Sequence, residues 1–116
     1  MILDALQLRL LEKIRSDLAG YSVVRSTSPL DNRAIWLEIF AGGIHKGNSC
    51  QTLLKKLNIN CKEVAGLGND YNDIDFLDIC AEAYLVANAP VNLQRHYKLV
   101  KSDKEEGFTE FISKVL

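Results

Sequence analysis

The residues best suited to chemistry form a short polar run, GLGNDYND, from Gly66 to Asp73. The run follows an apolar stretch that reads as a buried strand, VAGLG at 64–68, and precedes a segment typical of a helix. Open parallel sheets bind ligands at the carboxyl ends of their strands. Carboxylate and amide oxygens in a tight turn suit Mg²⁺, a hard cation. The run therefore predicts a magnesium site, with one alternative: a solvated acidic turn in which Asn72 caps the next helix.

The elements before this run predict one helix and two strands. Apolar residues recur at helical spacing at Leu3, Leu6, Leu10, Ile14 and Leu18. This spacing predicts an amphipathic helix over about 2–19 that ends at Gly20. Two β-branched segments, 21–25 and 34–40, predict strands that pair as a hairpin.

From Ala41 onward, predicted helices and strands alternate with short connections. The predicted helices lie at 46–57, 72–80, 91–97 and 105–115, and the predicted strands at 64–68, 83–88 and 98–100. In the first of these helices, Leu53, Leu54 and Leu57 are expected to be buried. The alternation predicts an α/β fold of right-handed βαβ units on a parallel sheet.

Four sequence landmarks occur in order along the chain: LEIFAGGIHKG at 37–47, GNDYNDIDFL at 68–77, YLVANAP at 84–90 and EEGF at 105–108. With them, residues 37–116 resemble the C-terminal half of the haloacid dehalogenase (HAD) superfamily, specifically its Cof-like sugar-phosphatase branch. Residues 1–36 resemble the tail of the family's α/β cap. The resemblance implies an α/β cap remnant over 1–40 and a partial Rossmann-like parallel sheet with flanking helices over 41–116.

The resemblance also implies catalytic roles for particular residues. Lys46 aligns with the family's lysine, whose ammonium offsets charge on the nucleophilic aspartate and on the transferring phosphoryl group. Asn72 aligns with a polar residue that contacts the phosphate or its neighbours. Asp73 aligns with an acidic residue that orients either the water shell of the metal or the lysine. Lys46 and Asn72 are therefore the predicted catalytic residues.

The predicted metal ligands are Asn69, Asp70 and Asp73, and the cofactor implied by the resemblance is Mg²⁺. Asn69 stands where the family has an aspartate that binds magnesium directly. An amide oxygen can still bind a hard cation, but the change removes one negative charge from the site. Asp70, one position later, takes over the role if the turn shifts its register.

The nucleophile that should face this loop is missing from the sequence. Phosphatases of this family attack phosphate with the first aspartate of a DxDGT motif, and no such motif occurs here. Asp4 follows apolar residues, but no second acid, glycine or threonine follows it. The resemblance thus implies a C-terminal fragment of a magnesium-dependent phosphatase for a small phosphorylated metabolite, inactive alone. The alternative is a non-catalytic interaction or regulatory module that completes its sheet with another chain.

Composition limits the classes of partner and the cellular compartment that we expect for this chain. The chain has 116 residues, 47% apolar and 25% charged, with a net charge of −1 and no basic block. We therefore expect no nucleic-acid partner and no membrane association. Three cysteines without paired spacing indicate reduced thiols in a cytoplasmic protein. The strand at 64–68 is expected to be an exposed sheet edge, which predicts a homo-oligomer or pairing with the N-terminal half of the parent protein.

Overall fold

The computed structural model describes residues 1–4, 8–28, 30 and 34–116, and the chain divides into two compact units, Met1–His45 and Lys46–Leu116. The first unit contains strand β1 (Ile2–Asp4), helix α1 (Leu8–Asp17), strand β2 (Tyr21–Thr27) and strand β3 (Ala34–Ala41). Its sheet has the order β1-β3-β2 and is antiparallel throughout. The assignment of residues 1–40 to a cap and 41–116 to a core half stays a prediction.

The antiparallel unit confirms the predicted hairpin and corrects the predicted first helix. All of β2 pairs with residues 35–41 of β3, and Leu11 of α1 packs with the buried Ile35 and Leu37 of β3. The helix predicted over 2–19 is wrong at its start, because Ile2–Asp4 is a strand paired with β3. Backbone pairing with a neighbouring strand outweighs local helical spacing there. Residues 5–7 of the same pattern lie outside the described residues.

The second unit is the predicted α/β fold. Its parallel sheet has the order β4-β5-β6, from strands β4 (Ala65–Gly68), β5 (Glu82–Val86) and β6 (Lys98–Val100). The flanking helices are α2 (Lys46–Leu57), α3 (Ile74–Leu77), α4 (Val91–Gln94) and α5 (Gly107–Val115). Among the described residues, none of the helices has both the length and the apolar character needed to cross a bilayer.

The polar loop folds back closely onto strand β4, beside the hydrophobic core of this unit. Leu77 and Leu85 are almost fully buried at its centre, and the ring of Tyr84 meets that of Phe111 edge-on at 5.4 Å. A Cβ atom on Gly68 would lie 2.8 Å from the Cβ of Asp73. Only glycine therefore allows the turn after β4 to fold back so tightly onto the strand.

The predicted burial of the helix at 46–57 is wrong for two of its leucines. Leu53 and Leu57 are exposed, and the buried residue of α2 is Gly47. A Cβ atom on Gly47 would lie 2.4 Å from the carbonyl oxygen of Asp75. Helix α2 thus packs backbone to backbone against α3 at its first turn, while two leucines near its last turn stay in solvent.

Candidate active site at the carboxyl end of the parallel sheet

The predicted metal loop lies directly after β4, as a tight turn followed by helix α3. Asp70 is the N-cap of a 3₁₀ turn at Tyr71–Asp73, and its carboxylate accepts the N–H of Tyr71 at 2.7 Å. The N–H of Asp73 donates to the carbonyl oxygen of Asp70 at 3.0 Å. Short acidic side chains stabilise such turns by accepting the backbone N–H groups that the turn leaves unpaired.

Asp73 is the centre of the loop. Its side chain is 7% exposed, and its Oδ2 atom accepts the N–H groups of Asn69 at 2.8 Å and Asp70 at 3.2 Å. Its Oδ1 atom accepts a hydrogen bond from the ammonium of Lys46. A buried carboxylate is costly unless it is paired and hydrogen-bonded, and here both oxygens are engaged. Asp73 therefore holds the loop and the lysine in one arrangement.

Lys46 is the first residue of α2 and pairs with Asp73 across 27 residues of sequence. A cation in the first turn of a helix opposes the helix dipole, and the carboxylate of Asp73 offsets this unfavourable interaction. The Lys46 side chain is 52% exposed, whereas its partner is buried. The ammonium is therefore fixed on one side and open to a ligand on the other.

The two asparagines of the loop differ in their surroundings. Asn69 is exposed. Asn72 is half-buried, and its Oδ1 atom is shielded from solvent without a hydrogen-bond partner among the described residues. Buried acceptors of this kind are rare in folded proteins and call for a bound group. Lys46, Asn69, Asp70 and Asp73 thus form one hydrogen-bonded group, and Asn72 lies on the same turn.

Sequence reasoning missed polar contacts made by residues that follow β5. The hydroxyl of Tyr71 donates to Oδ1 of Asn92 at 2.6 Å, which ties the loop to helix α4. Asn88 donates to the carboxylate of Asp103 at 2.8 Å and accepts the N–H of Asp103 at 3.2 Å. Asparagines just beyond a parallel strand, in VANAPVN, were the available signal.

The described residues do not by themselves show a magnesium site. In residues 1–4, 8–28, 30 and 34–116, no group of three or more His, Cys, Asp or Glu side chains is arranged to hold a metal ion. Both oxygens of Asp73 accept hydrogen bonds, and Asp70 accepts the Tyr71 N–H. Oδ1 of Asn72 is an oxygen that a cation or its water shell would satisfy. The roles of Asn69, Asp70 and Asp73 as ligands stay predictions.

Comparison with known proteins identifies the family. The family model described as haloacid dehalogenase-like hydrolase matches residues 4–112. A protein of Streptococcus pyogenes serotype M6, named as a candidate phosphatase, is 27% identical over 95 residues, covering 81% of this chain and 33% of that protein. A crystal structure from Streptococcus mutans has a TM-score of 0.75 and 27% identity, covering 93% of this chain and 40% of that one.

A sugar phosphatase of HAD subclass IIB shares the fold, with a TM-score of 0.76 at 15% identity over 91% of this chain and 39% of that one. The chain therefore spans between 33% and 40% of the length of these relatives. The resemblance drawn from the four landmarks is confirmed. Since the family match runs through both sheets and includes the loop centred on Asp73, this chain belongs to the haloacid dehalogenase-like hydrolase family.

Proposed function

We propose that this chain is the C-terminal part of a magnesium-dependent phosphatase that acts on a small phosphorylated metabolite in the cytoplasm. The observation that carries the proposal is the Lys46–Asp73 pair, a half-exposed ammonium fixed by a buried carboxylate beside the carboxyl end of β4. Fixed positive charge at such a position stabilises the charge of a transferring phosphoryl group. Phosphatase names among the longer relatives are consistent with this activity.

Each residue of the loop has a role in the proposed reaction. Lys46 binds phosphoryl oxygens through its open side, and Asp73 keeps the ammonium from turning into solvent. The Oδ1 atom of Asn72, which has no partner among the described residues, accepts a hydrogen bond from a hydroxyl group of the bound metabolite. Bound Mg²⁺ would neutralise further charge on the phosphoryl group, with Asn69, Asp70 and Asp73 as the proposed ligand set. The attacking aspartate is not in this sequence, so the chain alone does not turn over substrate.

Hydrolysis of p-nitrophenyl phosphate with Mg²⁺ tests this function. The chain is assayed alone and together with the segment of the Streptococcus mutans relative that lies outside the matched 40%. We expect no turnover from the chain alone and measurable turnover from the mixture. Lys46→Met should abolish the turnover, whereas Lys98→Met, which removes a lysine paired with Glu82 at the other end of the strands, should not.

Two outcomes would contradict the proposal. Turnover by the chain alone would show that it contains its own nucleophile. Equal loss of activity in Lys46→Met and Lys98→Met would show that the position of Lys46 has no special role.

A second candidate function is a non-catalytic interaction or regulatory module that completes its sheet with another chain. The observation that favours it is the sheet order, because β4 has a strand partner on one side only within the part of the chain that the structure describes. The same mixing experiment separates the candidates. A stable complex that hydrolyses nothing favours the module, and a complex that hydrolyses the phosphate ester favours the enzyme.

A further inference from the structure

Three cysteines from separate elements lie near one another in the second unit. Cys50 is in α2, Cys61 precedes β4, and Cys80 lies between α3 and β5. All three are free thiols, of which Cys61 is exposed and the other two are half-buried. Burial raises the pKa of the Cys80 thiol to about 11, and the thiols of Cys50 and Cys61 add to this rise. Cys80 is therefore within electrostatic reach of both other thiols.

Backbone hydrogen bonds bring Cys61 and Cys80 to the starts of neighbouring strands. The N–H of Val64 donates to the carbonyl oxygen of Cys61 at 3.2 Å, at the end of the 3₁₀ turn Cys61–Glu63. The carbonyl oxygen of Val64 accepts the N–H of Ala81, the residue after Cys80, at 2.9 Å. Strands β4 and β5 then continue from these residues as a parallel pair. Val64 is thus hydrogen-bonded both to Cys61 and to the residue that follows Cys80.

The two thiols differ in how far solvent reaches them. The Sγ atom of Cys80 donates to the carbonyl oxygen of Phe76 at 3.3 Å and would lie only 2.7 Å from a Cβ atom on Gly66. Glycine at position 66 therefore leaves the space that this sulfur occupies. The thiol of Cys61 makes a longer contact, 3.7 Å to Oδ1 of Asn60, and its residue is exposed. An open thiol and a partly enclosed thiol thus stand at neighbouring strand starts.

We propose that Cys61 and Cys80 are a modification site, at which a hydroperoxide forms a reversible disulfide. Cys61 reacts first because it is exposed. Its thiolate sulfur attacks an oxygen of hydrogen peroxide, so that an S–O bond forms, the O–O bond breaks and hydroxide leaves. The thiolate of Cys80 then attacks the sulfenic acid, the S–S bond forms, and a second hydroxide leaves. With the two thiol protons, the products are one disulfide and two water molecules.

The burial of Cys80 makes the second step the slower one. Because its pKa is raised to about 11, little of this thiol is ionised at neutral pH, and the thiolate is the form that attacks. The sulfenic acid of Cys61 should therefore accumulate before the disulfide appears. Dimedone, which reacts with sulfenic acids, should label Cys61 early in the reaction and prevent the disulfide.

The disulfide closes a segment of chain that contains the candidate active site. Residues 61–80 include β4, the loop centred on Asp73 and helix α3. A covalent link between the ends of such a segment lowers the conformational entropy of the unfolded chain. Oxidation should therefore raise the urea concentration at which the chain unfolds, and dithiothreitol should reverse the change. This effect does not depend on the proposed phosphatase activity.

Peptide mapping of the full chain after treatment with hydrogen peroxide tests the disulfide directly. The remaining thiols are blocked with iodoacetamide in denaturant, and the chain is digested without reductant for mass spectrometry. We expect two peptides joined through Cys61 and Cys80, lighter by two hydrogen atoms than the reduced peptides, and an alkylated Cys50. The variant Cys50→Ser is the matched control and should form the same disulfide in the same yield, whereas Cys61→Ser should lose it.

The mapping uses the unsubstituted chain, so its outcome does not depend on the folding of a variant. Three results would overturn the proposal. These are alkylation of both Cys61 and Cys80 after peroxide treatment, a disulfide that joins Cys80 to Cys50, and a disulfide between two copies of the chain. A urea midpoint that stays the same after complete oxidation would contradict the expected stabilisation of residues 61–80.

Discussion

Lys46–Asp73 and Lys98–Glu82 are lysine–carboxylate pairs at opposite ends of the same parallel sheet. Asp73 lies just beyond the carboxyl end of β4, whereas Glu82 and Lys98 are the first residues of β5 and β6. The carboxylate of Asp73 is 7% exposed and that of Glu82 is 48% exposed, while both lysines are about half exposed. The two lysines are therefore similarly exposed, whereas the carboxylate is buried in one pair and about half exposed in the other.

The difference in burial indicates which pair has its geometry set by the fold. Asp73 accepts backbone N–H groups as well as the lysine, so its geometry is set by the fold. The carboxylate of Glu82 accepts hydrogen bonds from two side chains, the Lys98 ammonium at 2.9 Å and the Tyr84 hydroxyl at 2.8 Å. Exposed ion pairs of the second kind contribute little to stability and hold their two side chains in place only weakly. A pair of the first kind holds its lysine ammonium in one place, as the proposed phosphate site requires.

The largest effect is expected from Asp73→Ala. The change leaves two loop N–H groups and the Lys46 ammonium without their acceptor, and the free energy of unfolding should fall by about 3 kcal/mol. Urea unfolding followed by circular dichroism measures it. Glu82→Ala is the matched control and should leave the unfolding midpoint nearly unchanged. Similar losses in both variants would remove the distinction between the pairs.

A second, smaller effect is expected from Gly47→Ala, which disturbs the helix start that carries Lys46. The new Cβ atom would lie 2.4 Å from the carbonyl oxygen of Asp75, so α2 must move away from α3. We expect a loss of about 2 kcal/mol in the free energy of unfolding. Gly20→Ala is the control, because a Cβ atom there meets nothing within 4 Å. A neutral Gly47→Ala would mean that Lys46 is not held by close helix packing.

Tyr71→Phe should have a smaller effect that is confined to the loop. The change removes the hydroxyl that donates to Asn92 and should lower the free energy of unfolding by about 1 kcal/mol. Its clearer signature is faster hydrogen exchange at the amides of residues 69–73. Tyr97→Phe, which removes a hydroxyl bonded to Asp78, provides a comparison away from the loop. Unchanged exchange at 69–73 in Tyr71→Phe would show that α4 does not steady the loop.

For the exposed Lys98–Glu82 pair, we expect a lowered pKa of Glu82 that depends on salt. The hydrogen bond from Lys98, followed by that from Tyr84, lowers the pKa of Glu82 below its ordinary value of 4.5. Stability from this pair is therefore present above pH 4.5 and is lost as the pH falls below that value. NMR titration of the Glu82 carboxyl carbon should give a midpoint below 4.5 that rises in 1 M NaCl, because salt screens exposed charges. A midpoint that does not change with salt would show that the Lys98–Glu82 pair does not behave as an exposed ion pair. Its contrast with the buried carboxylate of Asp73 would then be lost.

Most of the fold could be predicted from the sequence because its signals are local. Runs such as VAGLG and AYLVAN are apolar, bounded by turn residues and separated by helical segments, and they are strands β4 and β5 of the parallel sheet. Strand β1 could not be found in this way. Its three residues form a strand because they pair with residues 34–36 of β3, which lie far along the chain.

The candidate site could be predicted only in part. The loop and Lys46 were found through the landmarks of the family, and the structure joins them through Asp73. The contact of Tyr71 with Asn92 depends on how two loops meet in space, which no local pattern records. The exposure of Leu53 and Leu57 likewise depends on what surrounds α2. Helical spacing predicts that the helix has an apolar face, but it does not predict which parts of that face other elements bury.

Titration of the ¹⁵N-labelled chain with inorganic phosphate, followed by NMR, tests the central claim most directly. If the Lys46–Asp73 arrangement is a phosphate site, the shift changes should concentrate on Lys46 and the amides of residues 69–73. They should disappear in Lys46→Met and persist in Lys98→Met. Shift changes that centre on Lys98, or that are the same in both variants, would contradict the account.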